Sequence, residues 1–136
     1  MTKKVDFNKY ALFVHGVTSN PSKDYQSFIE SLSTLKGKGA NINRLTTAAV
    51  GISAEGGEFM EIIKKMVFQG KPWNDDNREH LIIELGDVMW YVMQACAALD
   101  VSLEDVVAGN VEKLKKRYPG GEFNVYESEN RASDDR

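Results

Sequence analysis

From Leu81 to Leu99 the chain carries no lysine or arginine and is apolar around most of a helical circumference. Turned at about 100° per residue, Leu81, Leu85, Val88, Val92, Ala95 and Leu99 form one face. Ile82, Ile83, Met89, Trp90 and Met93 cover most of the rest. A helix apolar nearly all round must be covered on several sides. Only a narrow polar sector remains, with His80, Glu84, Asp87 and Gln94 beside Tyr91. The few other helices of a 136-residue chain can hardly cover such a surface, so this segment predicts helical packing within an oligomer.

Helix signals account for the remainder. Ser19-Asn20-Pro21 is a start, with proline near the first helical position, and the helix is predicted to reach Lys36 before Gly37 and Gly39. A second helix is predicted over 42–69, closed by Gly70 and Pro72. The apolar helix follows from a cap within 74–76 to Leu99. Ser102, with Asp105 three residues on, opens a fourth that Pro119-Gly120-Gly121 ends. Residues 1–18 lack a sustained period and are read as irregular or a short helix. No window alternates as a strand would, so the fold class is all-α, about four helices in a bundle. Residues 1–126 are read as a single domain and 127–136 as a flexible polar tail.

Composition narrows the function. A net charge of −3 and a pI near 5.4 supply no basic stripe for a nucleic-acid polymer. The lone Cys96 lies in an apolar run and is read as a small buried hydrophobe in a reducing compartment. No stretch is read as a membrane span or a signal peptide, which gives a cytoplasmic protein with no membrane partner.

The acids are where a core should be. On the helix over 42–69, Leu45, Ala49, Ile52, Phe59, Ile63 and Met66 gather on one stripe. Glu55 falls within that stripe, Glu58 on its border and Glu61 toward solvent. Glu55-x-x-Glu58 and Glu84-x-x-Asp87 each place two carboxylates on one helix face, without a basic residue from Leu45 to Ile63 or from Leu81 to Leu99. Unpaired buried carboxylates cost several kcal/mol each, roughly, so they protonate, find a cation or line a wet cleft. Mg²⁺ suits a few carboxylates completed by water and phosphate, with Mn²⁺ as a substitute. No Glu-x-x-His pairing points to a di-iron centre. On the fourth helix, Asn110, Lys113 and Arg117 lie on or beside the apolar side marked by Leu103, Val107, Leu114 and Tyr118. Arginine grips phosphate with two hydrogen bonds and lysine as a point charge.

Three motifs in order, Glu55-Gly-Gly-Glu58, Glu84-Leu-Gly-Asp87 and Asn110-x-x-Lys113-Leu-x-x-Arg117-Tyr118-Pro119, resemble those of MazG-like nucleotide pyrophosphohydrolases. The likeness covers about residues 42–124 and is nearest to short, single-domain forms, some phage-encoded; for a phage protein the compartment is the host cytoplasm. It implies a Mg²⁺ site at Glu55, Glu58, Glu84 and Asp87, Lys113 and Arg117 on the phosphates, and assembly as a homodimer or homotetramer. The sequence departs from the family's commonest pattern at Gly56-Gly57, read as allowing close approach of a helix or ligand.

The expected reaction is Mg²⁺-dependent hydrolysis of an NTP or dNTP to the monophosphate and pyrophosphate. Glu58, Glu84 and Asp87 are the catalytic candidates, with Glu58 as general base. His15, Asn20 and Trp73 are candidates for the base pocket, and dGTP or GTP is the substrate favoured by analogy. The alternatives are a dUTPase- or dCTPase-like relative on the same scaffold, and a non-enzymatic metal-binding interaction module.

Overall fold

The computed structural model describes residues 3–135. Among them run seven α-helices: α1 (Phe7–Val17), α2 (Asn20–Lys23), α3 (Tyr25–Gly37), α4 (Ile42–Gln69), α5 (Asp75–Leu99), α6 (Leu103–Arg117) and α7 (Val125–Glu129). No strand occurs among the described residues, as the all-α reading requires. The chain divides after Ile42 into two compact units, where the sequence had indicated one domain over 1–126. Residues 1, 2 and 136, included in the expected domain and tail, lie outside the described residues.

In the first unit, the segment read as irregular or a short helix is α1, started by Asp6, whose side chain accepts from the Asn8 and Lys9 amides. The single helix expected to reach Lys36 is broken in two. Asp24 takes an extended backbone, and its carboxylate accepts from both the amide and the hydroxyl of Ser27, at 2.8 Å each. Aspartate stabilises a fresh helix start better than a helix interior, and that preference ends α2 and opens α3.

The second unit follows the sequence closely at its helix ends. Asn74 caps α5 by accepting from the Asn77 amide, and Ser102 caps α6 by accepting from the Asp105 amide at 3.0 Å. α5 closes at Asp100, in the left-handed region with φ 54°, which aspartate tolerates better than most residues. The chain turns between α4 and α5 at Gly70, φ 72°. The two helices pair antiparallel: Arg44 donates to Gln94 at 2.8 Å, Gly51 lies under Tyr91, and Glu55 meets Glu84 and Asp87. Ala48, Gly51 and Ile62 of α4, with Leu81 and Cys96 of α5, are buried. Cys96 is the small buried hydrophobe that its setting predicted.

Three expectations are corrected. The face that α5 turns toward α4 includes its polar sector, with Glu84, Tyr91 and Gln94 half-buried, while Leu85, Trp90, Met93 and Leu99 stand exposed. Against the reading that no stretch could span a membrane, α5 is long and apolar enough to do so by length and composition. Those criteria are also met by core helices, and Glu84 and Asp87 sit near its middle, where a bilayer would penalise charge. Gly56 and Gly57 admit no neighbouring helix in this chain, since a Cβ at either would meet nothing; the close approach is at Gly51, where a Cβ would overlap the Tyr91 ring. At the end of the described residues, α7 begins at Val125, and Asp135 accepts from Arg117.

Candidate functional site

Glu55 projects from the inner stripe of α4, and Glu84 and Asp87 project from α5 one turn apart. One carboxylate oxygen from each lies within 4.8 Å of the others. The helix pairing enforces this. Gly51 lets Tyr91 pack flat on α4, and the next inward position along α4 toward the α4–α5 turn is Glu55. Glu84 is enclosed, its side chain 12% exposed, and His80 one turn earlier holds it through Nε2, 3.0 Å from Oε1. His80 belonged to the polar sector in the sequence but carried no assignment; its i,i+4 spacing from Glu84 was the available signal.

Charge defines the site. The Glu55 carboxyl is pushed above its usual range, first by desolvation and then by Asp87, Glu84 and Glu58, with a hydrogen bond to Glu84 adding to the rise. The leading charges acting on it are all carboxylates. Glu61, on the same helix, is instead paired with Lys64 at 3.0 Å and Lys65 at 3.4 Å and is held below its usual range by them. Glu58 is exposed and acts on Glu55 without joining the 4.8 Å group. An all-oxygen donor set with unbalanced negative charge fits a hard divalent cation.

The cationic residues are placed elsewhere. Lys113 and Arg117 line a cavity of about 470 Å³ between α6 and the C-terminal segment, and no residue of α4 or α5 lines it. Arg117 donates from Nε and Nη2 to the two Asp135 oxygens, both at 2.6 Å. Asn110 is exposed and is not part of that lining. Among the described residues, the three grouped acids and the cavity lined by Lys113 and Arg117 therefore share no residue. Trp73, in the α4–α5 turn, is 69% exposed. His15 and Asn20 belong to the first unit: the His15 carbonyl accepts from the Thr18 amide and from Lys23 Nζ, and Asn20 begins α2.

Comparison with known proteins agrees with this anatomy. The MazG nucleotide pyrophosphohydrolase domain family matches residues 44–121, a span containing all four acids, Asn110, Lys113 and Arg117. The chain is 39% identical over 83 residues to the Gene 37 protein of Mycobacterium phage L5, covering 60% of this chain and 72% of the relative. A phage relative accords with the short phage-type form that the motifs resembled. No solved structure matches. With the family's match spanning α4 to α6 and its acid motifs converging on one point, the chain belongs to the MazG nucleotide pyrophosphohydrolase domain family.

Proposed function

We propose that this protein is a Mg²⁺-dependent nucleoside triphosphate pyrophosphohydrolase whose metal site is the carboxylate cluster between α4 and α5. The observation that carries the reading is that the charges acting most strongly on Glu55 are the carboxylates Asp87, Glu84 and Glu58, in a cluster of three carboxylates with oxygen ligands at metal-sharing distance. Such a site is stabilised by a cation, and divalent metals are typical of the family. Glu55, Glu84 and Asp87 are the ligands, and His80 orients Glu84. A bound divalent ion supplies charge neutralisation for the triphosphate and acidifies water.

Glu58 is exposed one turn from Glu55, and its carboxylate is the general base that takes a proton from the attacking water. Water adds its oxygen to phosphorus, the phosphoanhydride bond breaks, and the products are a nucleoside monophosphate and pyrophosphate. Lys113 and Arg117, with Asn110 on the same helix, are assigned to the phosphate chain. The exposed Trp73 ring is assigned to stacking on the base, with dGTP or GTP as the first substrate to examine.

The exposed apolar faces of α5 favour a homo-oligomer as the working form, in which a second copy covers Trp90 and its neighbours. The experiment is incubation of the purified protein with each NTP and dNTP, with Mg²⁺, Mn²⁺ or chelator, and identification of the products. Monophosphate and pyrophosphate from a subset of nucleotides, abolished by chelation, is the expected result. Diphosphate with free phosphate, or equal turnover in chelator, contradicts the reading. Preference for dUTP or dCTP instead places the enzyme with relatives of those specificities.

A further inference from the structure

The cavity beside α6 is closed by the chain's own C-terminal arm. One wall is cationic, with Lys113, Lys116 and Arg117 from α6; the arm faces it with Asp134 and Asp135. The Arg117–Asp135 pair joins residues eighteen positions apart, is bidentate with both bonds at 2.6 Å, and leaves the two side chains only 11% and 10% exposed. A carboxylate uses the guanidinium fork in the same planar, two-point way as a phosphate. The volume of about 470 Å³ falls in the range of small-ligand sites.

We propose that Asp135 is an internal competitor for phosphate: the arm seats its carboxylate on the Arg117 fork, and a polyphosphate ligand binds there by displacing it. The inference rests on the assignment of Lys113 and Arg117 to the phosphate chain. Charge balance supports displacement. When the arm leaves, Asp134 and Asp135 withdraw two negative charges and Arg131 one positive charge, a net loss of one negative charge, and Lys113, Lys116 and Arg117 remain on the helix wall. The acid on that wall, Glu112, is engaged with Lys115 at 3.5 Å. Asp135 stays ionised in the seated arm, because its hydrogen bonds to Arg117, and then the charges of Arg117, Lys113 and Arg131, hold its carboxyl below the usual range. At neutral pH the seated carboxylate and a phosphate are both anions.

A self-occupied site weakens apparent affinity by the fraction of time it stands open; an arm seated nine-tenths of the time gives about a tenfold penalty. The test is binding of inorganic pyrophosphate to the full chain, in chelator so that the carboxylate cluster takes no part, measured by calorimetry for wild type and Asp135→Asn. Hydrogen exchange of the segment 130–135 in wild type, with and without pyrophosphate, is the companion measurement and does not depend on how stable the variant is. The expected result is binding roughly three- to tenfold tighter in Asp135→Asn, with faster exchange of the arm when pyrophosphate binds. Equal or weaker binding in Asp135→Asn, with arm exchange unchanged by pyrophosphate, overturns the proposal and makes the ion pair a fixed brace. Arg117→Gln separates this from the underlying assignment. If it loses pyrophosphate binding while Asp135→Asn changes nothing, only the competition fails; if it binds as wild type does, the phosphate assignment fails as well.

Discussion

Glu55 and Glu61 lie on one helix but keep different company. Glu61 has two lysines within reach, whereas Glu55 has three carboxylates. A carboxyl whose pKa is raised in the fold favours its neutral form. Its contribution to stability is thus fully present below the ordinary value of 4.5 and is lost as pH rises through the higher folded value. In chelator, the melting temperature of wild type relative to Glu55→Gln is predicted to fall as pH rises from 4.5 toward neutrality, and Mg²⁺ is predicted to restore it. A difference that stays flat with pH would mean that the cluster does not strain the fold. Replacing Glu58 with Gln should lower kcat by about 100- to 10,000-fold, as loss of a general base does, while divalent-ion binding persists. His80→Ala, which frees Glu84, should weaken Mn²⁺ binding about 10- to 100-fold by calorimetry; unchanged affinity would make His80 a bystander.

At the scale of elements, the α4–α5 pairing depends on one small residue. Gly51→Ala drives a methyl group into the Tyr91 ring and should cost about 1–3 kcal/mol in chemical denaturation. Gly56→Ala, where the added Cβ meets nothing, should instead gain about 0.5–1 kcal/mol, since glycine weakens a helix interior. A loss at Gly56 would show that something outside the chain presses on that position. These two sites mark what the sequence could reveal. The ends of α5 and the start of α6 were legible because Asn74 and Ser102 cap them by local hydrogen bonds, and the acid pairs were legible because i,i+3 spacing fixes a shared face. The break at Asp24 was missed because a strong proline start upstream masked a second cap. The roles of Gly51 and Asp135 are tertiary: each is set by a partner distant in sequence, and no local period encodes it.

At the scale of the whole molecule, the exposure of Leu85, Trp90, Met93 and Leu99 on one helix supports the proposed homo-oligomer, in which a second copy covers them. Sedimentation is predicted to give a mass above the 15.2 kDa of one chain, and Trp90→Asp to shift it toward that value. A wild type that sediments as a single chain at micromolar concentration would contradict this.

The most direct test of the central claim is a Mn²⁺ titration followed by electron paramagnetic resonance on wild type and on a Glu55→Gln, Glu84→Gln, Asp87→Asn variant. Saturable binding in wild type that competes with Mg²⁺ and disappears in the variant, with circular dichroism showing its helices intact, is the predicted result. Binding that survives the loss of all three carboxylates, or wild type that binds no ion, would contradict the account.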